Sequence, residues 1–242
     1  MTSATTFETI SISSIDGVCT ITMQRPDVLN AFDNTLTTEL AKALKDASRN
    51  EEVRVVIITG NGRAFSSGQD LADLKAKYVP GYEPHLSGDL KKRYDPIVRT
   101  IHNMEKPVIA SVNGVAAGAG CSLALACDMR IASEHASFIE VFINVGLIPD
   151  SGSTWTLPRL IGFGRAMELC CTGRPVKAEE ALAIGLVNQV VPVEELEDAT
   201  QKLATRLASL PAKAISLTKR LLNQSFENDF KEVDIIISPV TP

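Results

Sequence analysis

Val108-Ile109-Ala110-Ser111-Val112, Asn113-Gly114, then Ala117-Gly118-Ala119-Gly120-Cys121-Ser122-Leu123-Ala124-Leu125-Ala126 is the stretch on which the fold turns. Its first five residues are apolar or small without alternation, the pattern of a strand covered on both faces. The small residues that follow open a helix running through Leu123 to Ala126, whose first N–H groups lack intrahelical partners and carry the positive end of the dipole. With no bulky side chain in the way, a ligand oxygen can approach those groups, which makes the turn a candidate anion or oxyanion site. The same glycines equally permit close helix–strand packing, and spacing alone does not separate the two readings.

The rhythm repeats on both sides. Upstream, Val53 to Thr59 is a second β-branched run, and the loop Asn61-Gly62-Arg63-Ala64-Phe65-Ser66-Ser67-Gly68-Gln69-Asp70 again presents small residues at a strand exit. Two such loops can aim two N–H donors at one oxygen, although a plain turn reads the same way. Further upstream, Leu36, Leu40, Leu44 and Ala47 recur at helical spacing after Asp33, a candidate N-cap. Phe7, Ile10, Ile12 and Val18, Thr20, Thr22 flank Asp16-Gly17 as a half-buried hairpin. A helix carrying Tyr94, Ile97, Val98, Ile101 and Met104 on one face leads into the opening stretch, and 129–132 and 137–139 are expected to be extended. From 154 onward the pattern is helical, at 154–161, 165–171, 178–184, 196–210 and 211–226, and 78–84 is a turn-rich insertion. Strand-plus-helix units of this kind define an α/β architecture with functional groups in loops at strand ends.

Apolar residues make up 45% of the 242 and charged residues 22%, so the chain can bury one large core. A net charge of −5 leaves no broad basic surface for a phosphate backbone, so nucleic acid is not expected as a partner. No apolar run approaches the ~20 residues that span a bilayer, and Met1 to Thr6 lacks the basic and apolar regions of a leader. A cytoplasmic location is the expectation. The odd set Cys19, Cys121, Cys127, Cys170 and Cys171 has no CxxC spacing and reads as reduced core thiols, and His85, His102 and His135 are isolated from it, so no metal site is expected.

Five motifs stand in register: Arg25-Pro26-Asp27-Val28-Leu29-Asn30-Ala31, Ala64-Phe65-Ser66-Ser67-Gly68-Gln69-Asp70-Leu71, Lys106 to Gly114, Gly118-Ala119-Gly120-Cys121, and Gly146-Leu147-Ile148-Pro149-Asp150-Ser151-Gly152. In order and spacing they resemble the crotonase (enoyl-CoA hydratase/isomerase) superfamily, from about Phe7 to about Glu232. The resemblance implies a spiral of β-β-α repeats with a C-terminal helical region, divided here as a core at 1–195 and a trimerisation region at 196–242, and assembly as a homotrimer or dimer of trimers. It implies an acyl-CoA thioester as substrate, coenzyme A being part of the substrate rather than a separate cofactor. The family's oxyanion hole falls on the backbone N–H groups of Gln69 and Ala119. Coenzyme A contacts fall around Val28, Leu29, Ser67, Gly68, Asp70, Leu71 and Gly118, with Arg25 a candidate phosphate partner.

The family's hydratases carry two glutamates, and those positions hold Ser122 and Phe142 here, neither of which can deliver a proton near neutral pH. Asp150 instead resembles the carboxylate of superfamily isomerases, with Glu140 in reserve. Ser122, Phe142 and Leu147 would line the acyl pocket, and Leu147, Ile148 and Trp155 would make the surroundings of Asp150 apolar. From residue pattern alone, Asp150 reads first as an N-cap of the helix near Gly152, and it is the resemblance that turns the reading to catalysis. The stretch 146–159 looks most like the ring-opening epoxyphenylacetyl-CoA isomerases of phenylacetate catabolism, so an acyl-CoA isomerase acting through one carboxylate is the expectation. Enoyl-CoA hydration, aryl-CoA dehalogenation with His102 and an inactive binding protein are the alternatives. After Glu232 the chain departs from the family pattern, with no helical period and two prolines in 234–242, which leaves the closure of the acyl pocket open.

Overall fold

The computed structural model describes residues 7–70, 72 and 86–226. Leu71, the insertion at 78–84 and the tail at 234–242 lie outside the described residues. Strands β1 (Ile10–Ile15) and β2 (Val18–Met23) form the expected hairpin, turned by Asp16 and Gly17 with positive φ. Its burial is less even than the alternation implies: β1 is an edge strand that buries Ile10 and leaves Ile12 and Ile15 exposed. An edge strand has a neighbour on one side alone, so its apolar residues need not reach the core. Helix α1 (Asn34–Arg49) starts where expected, with Asp33 Oδ1 accepting from the Leu36 N–H at 2.8 Å. Such a cap contributes about 1 kcal/mol. Leu36, Leu40, Leu44 and Ala47 are all buried on the face turned to the sheet.

The chain then winds. Strands β3 (Val55–Gly60) and β4 (Ala64–Ser66) are followed by helices α2 (Leu86–Arg93) and α3 (Asp95–Asn103). Next come β5 (Val108–Val112), β6 (Val115–Ala117) and helix α4 (Ala119–Ala126), then β7 (Met129–Ser133) and β8 (Ser137–Ile139). Each turn lays its first strand in a six-stranded sheet, through β3, β5 and β7, and its second in a four-stranded sheet, through β4, β6 and β8. This is the β-β-α spiral implied by the motifs. After a 3-10 turn (Val141–Val145) follow α5 (Ser153–Ile161), α6 (Phe163–Thr172), β9 (Val176–Lys177), α7 (Ala178–Ala183), β10 (Gln189–Val191), α8 (Leu196–Ala208) and α9 (Ala212–Gln224).

The non-alternating strands are covered on both faces, as their sequence predicts. Val56 and Ile58 of β3 join the main core with Leu40 and Ile101, whereas Val55 and Ile57 pack with Val18, Ile109 and Ala204 of α8. Each such burial is worth about 1.5–3 kcal/mol, and together they make the sheet a rigid base for the loops at its edge. The cysteines are free thiols, with Cys19, Cys121 and Cys127 buried; Cys171 is exposed, contrary to the all-core expectation, because its helix α6 turns that side outward. Among the described residues no helix is long and apolar enough to cross a membrane.

Candidate active site

The loop after β4 and the turn into α4 meet edge to edge. Gly68 has φ +89°, and a Cβ placed on it would stand 2.6 Å from Ala117 O and 3.3 Å from Ala119 N. Gly120 is equally tight, since a Cβ there would lie 2.5 Å from Ser66 O. The glycines are therefore needed for the approach of the two backbones, and close packing and ligand access turn out to be compatible. Phe32 pairs with Gln69 as a parallel bridge: Phe32 N–H donates to Gly68 O at 2.7 Å and Asp70 N–H to Phe32 O at 3.0 Å. In a parallel bridge the flanking residues carry the bonds, so the N–H of Gln69 itself turns away from Phe32. Among the described residues neither Gln69 N–H nor Ala119 N–H has a protein acceptor. Two unpaired donors on touching loops can hold a developing negative oxygen.

Asn30, wholly buried at φ 53°, ties these loops down. Its Nδ2 donates to Asn61 O and Ala64 O, its Oδ1 accepts from Arg25 N–H, and its carbonyl accepts from Ser66 Oγ. Ser67 N–H donates to Leu29 O at 2.9 Å and Ser67 Oγ to Val28 O at 3.3 Å, so Val28, Leu29 and Ser67 lie together.

Asp150 lies in the turn before α5. The helix is capped by Gly152 without a side-chain bond, and what Asp150 gives Ser153 N–H is its main-chain carbonyl, at 2.9 Å. The cap reading is thereby removed: Asp150 Oδ1 accepts from Ser151 Oγ at 2.8 Å instead. Burial raises its carboxyl above the usual range, against the lowering effect of that hydroxyl. The turn is pinned to α4 by Ser122, whose Oγ shares a 2.8 Å hydrogen bond with Ser153 Oγ and stands 3.3 Å from Asp150 O. Ser151, Ala119 and Leu123 enclose a small space with Phe32, Tyr94, Ile97 and Val98, of about 10 Å³. That is room for about one water, so an acyl group must lie outside it or open it.

Behind this turn stands Glu140, buried at 3% exposure; Oε1 accepts from Ser153 Oγ at 3.1 Å and Oε2 has no partner. Burial pushes its carboxyl up to about 7; hydrogen bonds from Ser153 and Cys121 oppose the rise and the charge of Asp150 adds to it. Because the folded value is raised above the ordinary 4.5, the stabilising contribution is complete below about pH 4.5 and is lost as pH rises through about 7. Wild type should therefore lose about 3 kcal/mol relative to Glu140→Gln across that window, read as urea midpoints at either end. Parallel midpoints would mean that the carboxyl ionises without cost.

The remaining expected residues divide. Gly118, at φ 50°, begins α4 and donates to Ile139 O; Ser122 and Phe142 are buried, and Leu147 is half exposed. The guanidinium of Arg25 is held by Asp33 and Asp70, each at 3.1 Å, and by Ala31 O, so two carboxylates already face its charge. Asp70 is that arginine's partner. Trp155 is a correction. It stacks against Arg159, with the guanidinium 4.1 Å from its ring, and meets His102 edge-on at 5.4 Å, lining a different, apolar cavity of about 710 Å³ with Leu160, Leu222 and Phe226. Trp155 is two residues past Ser153 and so about 200° round the helix from it, and Ser153 faces Glu140. His102 goes with it, which takes the histidine of the dehalogenase alternative away from Asp150. Glu140, the acid held in reserve, ends the extended segment, and 3-10 turning begins at Val141.

The residues 14–235 match the family model described as Enoyl-CoA hydratase/isomerase. The 1,2-epoxyphenylacetyl-CoA isomerase of Escherichia coli (strain K12) is 43% identical over 212 residues, covering 88% of this chain and 80% of that protein. A probable enoyl-CoA hydratase of Rhodobacter capsulatus is 39% identical over 222 residues, covering 92% and 84%. The crystal structure of an enoyl-CoA hydratase from Bacillus anthracis superposes with a TM-score of 0.88 at 35% identity, covering 93% of this chain and 86% of that one. On its spiral, its paired loop amides and these likenesses, the chain belongs to the enoyl-CoA hydratase/isomerase family of the crotonase superfamily.

Proposed function

We propose that this protein is an acyl-CoA isomerase in which Asp150 is the proton-transferring group. The observation that carries the reading is the Asp150 carboxylate, uncommitted to helix capping and touched by Ser151 Oγ, on a turn hydrogen-bonded to the helix whose first N–H is that of Ala119. With a 3-enoyl thioester, Asp150 takes a C2 proton, the carbonyl oxygen becomes an enolate oxygen held by the Gln69 and Ala119 amides, and the same acid returns a proton to C4 as the double bond moves to C2–C3. One carboxyl suffices and no water is added. The raised proton affinity of Asp150 strengthens it as a base. Val28, Leu29, Ser67, Gly68 and Gly118 are assigned to coenzyme A contacts, Ser122, Phe142 and Leu147 to the acyl side. The likeness to the 1,2-epoxyphenylacetyl-CoA isomerase of Escherichia coli supports including an epoxyphenylacetyl thioester in the proposed substrate class. Assembly as a homotrimer or a dimer of trimers and a cytoplasmic location go with this reading.

Hydration is the second reading, favoured by the hydratase names among relatives and by Glu140 as a further carboxyl. Ser122 and Phe142 weigh against it. Incubating a panel of 3-enoyl- and 2-enoyl-CoA esters in deuterated water separates the two. Isomerisation predicts deuterium at C2 and C4 without gain of oxygen; a product heavier by one water would replace this reading with hydration.

A further inference from the structure

Glu140 is a buried acid that the proton transfer above does not use, and its surroundings are specific. Ser153 of α5, Cys121 of α4, Cys170 of α6 and Asp150 are the hydrogen-bonding and titratable groups that face it. Its Oε1 accepts from Ser153 Oγ at 3.1 Å, that hydroxyl pairs with Ser122 Oγ at 2.8 Å, and the N–H of the same Ser153 donates to the carbonyl of Asp150 at 2.9 Å. Its Oε2 is buried and unpaired. A cost of this kind, in a place where Gln would satisfy the same serine, calls for a role that needs a titratable group.

We propose that Glu140 is a positioning residue for Asp150: through Ser153 and Ser122 it fixes the turn that carries the base, and through its charge it sets how strongly that base pulls on a substrate proton. The inference rests on Asp150 being the base. The charge of Asp150 acts on Glu140, whereas among the described residues neither the Gln69 nor the Ala119 amide is hydrogen-bonded to it. Proton abstraction moves negative charge from Asp150 towards those amides. An ionised Glu140 favours that movement, whereas a neutral one is indifferent to it.

The test is the rate of C2 hydrogen exchange of phenylacetyl-CoA in deuterated buffer, from about pH 5.5 to 8.5, for wild type, Glu140→Gln and Ser153→Ala. Wild type should show a second rise near 7, where the Glu140 carboxyl ionises, beyond the rise due to Asp150. Proton transfer expresses only part of a gain in basicity, so the second step should be roughly threefold. Glu140→Gln keeps the acceptor for Ser153 and should lose the second step alone. Ser153→Ala should lower the rate at every pH yet keep the step. If Glu140→Gln keeps the step, or loses rate equally at all pH values, the carboxyl is no more than a brace and the inference is overturned. Asp150→Asn in parallel separates the two claims: exchange surviving there removes the base, whereas exchange lost there with the step intact in Glu140→Gln removes this inference alone.

Discussion

Asp150→Asn is expected to lower isomerisation and C2 exchange by about a thousandfold, within the range that loss of a general base produces, while leaving the affinity for a coenzyme A ester within about twofold. The split follows from geometry. Asparagine has the shape of aspartate and an oxygen that can still accept from Ser151 Oγ, so the turn held by Ser122 and Ser153 keeps its place. What is lost is the site for the proton. Because the substituted side chain does not cap α5, there is little helix stability to lose with it, and thermal unfolding should stay near wild type. A kcat effect without a binding effect marks an interaction made in the transition state. Turnover by Asp150→Asn near the wild-type rate would take the residue out of the chemistry.

Gly68→Ala should reduce kcat by about a hundredfold to a thousandfold, the range for losing a preorganised oxyanion donor. One added methyl acts twice here. At φ +89° an L side chain is strained, and its Cβ would stand 2.6 Å from Ala117 O, so the loop must withdraw and carry the Gln69 amide away from Ala119. Gly164→Ala is the control, because nothing lies within 4 Å of a Cβ there and its φ is ordinary. Steady-state kinetics with circular dichroism on both variants checks the claim: Gly164→Ala should match wild type, and Gly68→Ala should stay folded but slow. Equal rates in the two would mean that the meeting of these loops has no part in catalysis.

What the sequence made legible was whatever a local pattern determines. The run at Val55–Gly60 has no alternation because both its faces are covered, and the spacing of Leu36, Leu40 and Leu44 reports the single face that α1 buries. Side-chain direction was harder, since it depends on where an element starts. Trp155 was expected over Asp150, but a helix beginning at Ser153 turns it to Arg159 and His102. Arg25 was read as a candidate phosphate partner, and its ion pairs with Asp33 and Asp70, eight and 45 residues away, were not visible in the motif. Asn30 was quoted in a motif without a role, and only tertiary contact reveals that it binds three loop segments. An asparagine able to take positive φ beside Leu29 was the available signal. For Glu140 the signal was a lone acid among apolar residues, though its link to Ser153 could not be read from spacing.

The central claim is that two main-chain amides and one carboxylate address the same thioester. A crystal structure with an acyl-CoA ketone analogue, in which a methylene replaces the thioester sulfur, tests it most directly. The carbonyl oxygen should sit about 3 Å from both Gln69 N and Ala119 N, with the Asp150 carboxylate against C2. A carbonyl bound in the cavity beside Trp155, or an Asp150 carboxylate turned from C2, would contradict it.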